Sequence, residues 1–109
     1  MKNPIIRVLL FLLLSVTLFN ALGDDGFNCH NYAWEAERRW LDDPREHIAS
    51  AVECDASEAT RVVYYWGDTP IHSGLWLGNG WVESKWGSNP ILITPWWCSP
   101  YGTHVKFYR

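Results

Sequence analysis

Close to its start the chain carries a nearly unbroken apolar run: residues 8–19 read VLLFLLLSVTLF. What is left beyond that run decides how large a core can form. Lys2 and Arg7 stand before it, and Ala21-Leu22-Gly23 comes after it with small residues at the two positions a signal peptidase reads. About a dozen apolar residues behind a positive segment suit a secretory signal and are short for a membrane span, which needs about 20. An uncleaved anchor is the competing reading, and the length argues against it. Residues 1–23 are therefore expected to be a signal peptide. Residues 24–109 are expected to be a single small domain, secreted or periplasmic, with no stable membrane anchor after cleavage. The 86 residues then left of 109 suffice for one core and not two.

Losing that segment removes two positive charges and no acid, turning a formal net charge of −3 into −5 with histidine neutral. An acidic domain has no electrostatic reason to bind nucleic acid or an anionic bilayer. A core this small often needs a covalent staple. The three cysteines, Cys29, Cys54 and Cys98, predict one disulfide and one leftover thiol in an oxidising compartment. Their spacing does not select the pair.

Asn28 suits the cap of a helix starting at Cys29. Tyr32, Ala33, Ala36 and Trp40 recur near helical spacing with Glu35, Glu37, Arg38 and Arg39 between them, which predicts an amphipathic helix over 29–41. Asp42-Asp43-Pro44 ends it, and Ile48, Ala49, Ala51 and Val52 predict a second helix over 45–54. From Arg61 the texture turns β-branched and aromatic. Strands are expected over 61–66, 71–77, 81–85, 91–94 and 105–108, with a turn at 67–70 and a hairpin turn at Gly78-Asn79-Gly80. Helices first and strands after predict an α+β fold, N-terminal helices packed on a small antiparallel β-meander.

Two roles fit Cys29. In the first turn of a helix, unpaired amides and the dipole favour a thiolate, the nucleophile that amide hydrolysis needs; alternatively, it is half of a disulfide. His72 opens a strand beside Ser73 and Gly74, where an imidazole can serve as general base or simply be a polar residue at a sheet end. Pairing Leu77 with Trp81 across the turn sets Gly74 opposite Ser84 and puts His72 diagonal to Ser84 on one face. Ser84 is thus the geometric candidate to orient the imidazole. Glu83 is the chemical one, and a one-residue slip exchanges them. A zinc site would need Cys29, His30, His72 and His104 to converge with no ligand spacing behind it, so neither metal nor cofactor is expected. Eight tryptophans occur. Trp34, Trp40, Trp66 and Trp76 suit a small core, whereas Trp86, Trp96 and Trp97 fall in loops, where they either line a substrate groove or close a loop over the sheet.

The run Ile71-His72-Ser73-Gly74-Leu75-Trp76-Leu77-Gly78-Asn79-Gly80 resembles the His-Val-Gly-Ile-Tyr-Leu-Gly-Asn-Gly strand and turn of NlpC-type cell-wall peptidases, which are papain-fold cysteine hydrolases. Residues 61–65 are similar to the strand before that histidine, and Asn28-Cys29-His30 to the Asp-Cys-Ser start of the family's catalytic helix. The lecithin:retinol acyltransferase-like proteins have a similar histidine strand, but their cysteine comes after the histidine. Here Cys29 precedes His72, the peptidase order. The resemblance implies a papain-like domain with Cys29 as nucleophile, His72 as base and Ser84 in the third position. It also implies that Cys29 stays free while Cys54 pairs with Cys98. The departures are His30-Asn31 where the family has Ser-Gly, and Ser84 where it often has His, Asn or Gln. The function so implied is a secreted cysteine hydrolase of amide bonds in cell-wall peptide. The alternatives are an inactive glycan- or peptide-binding module on the same fold and a disulfide-stapled protein-interaction domain. No inhibitor or immunity partner is named by these residues.

Overall fold

The computed structural model describes residues 23–109. The apolar run at 8–19, on which the signal-peptide reading rests, lies outside the described residues. Among those described, no helix is long and apolar enough to cross a membrane. Two helices, α1 (Cys29–Trp34) and α2 (Arg45–Ser50), precede six strands: β1 (Glu53–Cys54), β2 (Arg61–Trp66), β3 (Thr69–Gly78), β4 (Trp81–Lys85), β5 (Ile91–Pro95) and β6 (Val105–Tyr108). The strands form one antiparallel sheet in the order β1-β6-β2-β3-β4-β5.

This corrects the expected fold. The domain is mostly antiparallel sheet with two helices of six residues each, not helices packed on a small meander. Side-chain amides cut α1 short. Asn28 Oδ1 accepts from the backbone N–H of Asn31 (3.1 Å) and of Leu41 (3.2 Å), and its Nδ2 donates to Leu41 O at 2.8 Å. The chain beyond Trp34 therefore folds back to the start of its own helix. Asn31 Nδ2 holds the reversal by donating to Glu35 Oε1 and Glu37 O, and Glu35 is extended (φ −129°, ψ 152°). Such polar side chains offer the backbone an alternative to continuing the helix.

The second helix stops at Ser50 because β6 claims the next residues. Val52 and Arg109 exchange backbone bonds of 3.1 and 2.9 Å, and β1 pairs Glu53 with Tyr108 and Cys54 with Phe107. Strands β2 to β5 run as consecutive neighbours, but β6 returns to lie between β1 and β2.

The expected Cys54–Cys98 disulfide is also corrected, since all three cysteines are free thiols. Cys98 is buried after β5 and close enough to Tyr64 of β2 to disfavour its phenolate. Cys54 sits on edge strand β1, with β6 between it and β2.

The β3–β4 hairpin sets up the site. Gly78, Asn79 and Gly80 all have positive φ (88°, 53° and 86°), the left-handed backbone a tight turn needs. Leu75 faces Glu83 and Trp76 faces Val82, so Gly74 faces Ser84. A Cβ on Gly74 would collide with Val82 Cγ1 and Ser84 Oγ, so only glycine fits.

The registers sort the side chains into two faces. Val62, Tyr64, His72, Gly74, Val82 and Ser84 share one, with the Val62–Tyr64–Val82 core and the partly buried Trp76, Trp96, Val105 and Phe107 packed on it. The other face carries Arg61, Ser73, Glu83 and Lys85, and α1 docks there. Arg61 Nε donates to Ala33 O at 2.6 Å, and Tyr32 Oη donates to Glu83 Oε2 at 2.8 Å.

Candidate active site

Cys29 is the first residue of α1, and α1 is pinned to β3 by the neighbours of the two candidate groups. Ser73, next to His72, meets His30, next to Cys29: Ser73 Oγ lies 2.7 Å from His30 Nδ1 and accepts from Trp34 Nε1 at 3.2 Å. His30 is 5% exposed. Burial first, against the opposing charges of Asp43 and Asp42, lowers His30 to about 4. It is therefore neutral and able to accept.

The β3–β4 ladder ends at Leu75 and Glu83. Trp76 N–H bonds toward β2 through Thr60 O, so by alternation the Ser73 N–H points to the β4 side, past the end of the ladder. That amide favours the Cys29 thiolate. α1 thus packs on the Ser73 face of β3, opposite the face that carries the His72 side chain.

The electrostatics of this thiol differ from the expectation at a helix start. Burial is the largest influence and raises Cys29 above the ordinary thiol value. The amides of Ser73, His30 and Cys29 and the charge of Lys85 pull it down by less. A six-residue helix has little dipole to offer, and desolvation prevails. Lys85 is itself 1% exposed, with Nζ donating to Asp24 O at 2.6 Å and to Gly87 O, over the Phe27 ring. Burial lowers its affinity for a proton, and Asp24, Asp25 and Cys29 oppose that.

His72 is 1% exposed and is lowered to about 3, by burial first and by His30 second. Aromatic rings hold it: Tyr101 at 4.8 Å, Trp86 at 5.0 Å and Tyr64 at 5.4 Å between centroids. Burial first, and then Cys29, raises the Tyr101 phenol. His72 Nδ1 is buried without a hydrogen-bond partner. Ser84 Oγ is buried and equally without a partner, so Ser84 shares the face of His72 but does not orient it. Glu83, the other candidate for that role, points to the opposite face and holds Tyr32.

The three loop tryptophans part company. Trp86 lies tilted against the His72 ring; Trp96 packs on the core, with Tyr64 Oη donating to its carbonyl at 2.6 Å; Trp97 is 37% exposed. Tyr101, His30, Ser73 and Lys85 were not singled out as site residues by sequence. Of these, only His30 and Ser73 carried a signal, each being the next residue after a candidate group. Among the described residues, no group of three or more His, Cys, Asp or Glu side chains is placed to hold a metal ion. Comparison of the chain with protein families, with curated proteins and with solved structures gives no match.

Proposed function

We propose that the domain is a cysteine hydrolase of amide bonds, with Cys29 as nucleophile and His72 as base. The observation that carries this reading is the packing of α1, with Cys29 as its first residue, against Ser73, the residue after His72 in β3. Thiol and imidazole are both neutral at rest. Attack of sulfur on a carbonyl carbon therefore passes the thiol proton to His72 in the same step, and the imidazolium then protonates the leaving amine. Water, deprotonated by His72, hydrolyses the resulting thioester and frees Cys29. Catalytic contacts often tighten only once substrate is bound, in keeping with a His72 Nδ1 that has no partner here. The resemblance of residues 71–80 supports cell-wall peptide as the substrate, and the apolar run at 8–19 supports export.

A second reading, an inactive glycan- or peptide-binding module, is favoured by the raised Cys29 thiol and the unpartnered His72 Nδ1. The test is release of soluble dye from labelled cell-wall material by the parent, Cys29→Ala and His72→Gln proteins, with circular dichroism as a check on folding. The hydrolase reading expects release by the parent and none by either variant. Equal release by Cys29→Ala refutes it. A parent that sediments with the wall but releases nothing favours the binding module.

A further inference from the structure

Three buried side-chain atoms among the described residues lack a hydrogen-bond partner: His72 Nδ1, Ser84 Oγ and Trp86 Nε1. They belong to one place. Ser84 lies over Gly74 on the face that carries His72, and the ring of Trp86, two residues further along, lies tilted against His72 at 5.0 Å. Native proteins leave few buried polar groups unpaired, and three gathered on one patch point to a ligand. The indole N–H can only donate, and the serine hydroxyl can donate as well. The group they meet must therefore be an acceptor. Tyr64, Gly74, Val82, Leu92 and Thr94 share this face by register and bring no acid to repel an anionic acceptor.

We propose that Ser84 and Trp86 form a donor pair that receives one oxygen of a carbonyl-class group, an amide carbonyl or a carboxylate, on the ligand of this site. The pair deepens the function proposed above and rests on it for the identity of that ligand as a substrate. Ser84 then serves as a binding residue, in place of the imidazole-orienting role its sequence position implied. Neutral His72, with Nδ1 beside the pair, faces the same group.

The test reads binding and not turnover, so failure of the hydrolase reading does not decide it. In the ¹⁵N-labelled full-length protein, the Trp86 indole N–H resonance is assigned by its loss in Trp86→Phe. It is then tracked during titration with acetate and, separately, acetamide. A saturable shift with either probe is expected, and the stronger of the two distinguishes carboxylate from amide. Ser84→Ala should weaken that binding by about tenfold, the worth of one hydrogen bond. Trp86→Phe keeps a ring against His72 and removes an unpaired donor, so its melting temperature should equal or exceed the parent's. An indole resonance unmoved by both probes, a Kd unchanged in Ser84→Ala, or a lower melting temperature in Trp86→Phe overturns the proposal.

Discussion

His72 and His30 make the domain sensitive to mild acid in a way that can be worked out in advance. In the folded protein they ionise only near about 3 and about 4, whereas unfolded both have the ordinary value of about 6.5. Below that value the unfolded chain binds protons that the folded chain refuses. Stability is therefore lost as pH falls from about 6.5, and the loss ends near the folded values. Between pH 7 and pH 5 each histidine contributes a loss of about 2 kcal/mol, roughly 4 kcal/mol together. Glu35 does not intrude, because its hydrogen bond from Arg39, foremost, holds it at about 2. Its contribution is lost only below the ordinary carboxylate value near 4.3. The informative substitution is His72→Phe, which sets a ring among Tyr64, Trp86 and Tyr101 and removes the unpaired Nδ1. Urea unfolding at both pH values should show a parent weakened by about 4 kcal/mol at pH 5 and a variant weakened by about half as much. A variant that keeps the parent's full loss refutes the placement of a neutral His72 in the interior.

Three further outcomes are expected. Because burial raises the Cys29 thiol, its alkylation by iodoacetamide, mapped by peptide mass, should be slow at pH 7 with a midpoint above the ordinary thiol value of about 8.5; a midpoint below 7 would show that the amides and Lys85 prevail. Gly74→Ala forces a methyl into Val82 and Ser84 and should cost about 1–3 kcal/mol, read as a lower melting temperature; an unchanged melt contradicts the close approach of β3 and β4. Asn28→Ala loses the cap on Asn31 and both bonds to Leu41, a destabilisation of about 2–3 kcal/mol measurable by urea unfolding, and a loss under 0.5 kcal/mol would count against the fold-back.

What could be read from the residues was local. The Gly78-Asn79-Gly80 turn and the two-residue alternation announce the β3–β4 hairpin. The register read from a Leu77–Trp81 pair puts His72 and Ser84 on one face but leaves a one-residue slip open; the structure pairs Trp81 with Gly78 through a bulge and still sets Leu75 opposite Glu83. Asn28 before Cys29 announces a helix start for the same reason. The length of that helix could not be read, because it depends on Asn28 reaching across to Leu41, and periodicity at Ala36 and Trp40 argues the other way. Trp40 is in fact 48% exposed. The second helix starts at Arg45 as expected but ends at Ser50 for a non-local reason, since residues 52–54 have as their partner a strand at the far end of the sequence. The same distance hid Tyr101, whose place over His72 depends on the loop after β5. The thiol was misjudged because a position at a helix start is visible in sequence and the depth of its burial is not.

β6 is the latest strand in the sequence, yet it stands inside the sheet with β1 on one side and β2 on the other. During synthesis the earlier strands can zip in order from β2 to β5, while β1 waits without a neighbour and β2 shows a bare edge. Completion is a single late insertion that satisfies both at once. A chain that lacks residues 105–109 would leave β2 open to pair with another molecule, so quality control of this domain reduces to whether its final strand arrives before a neighbour's does.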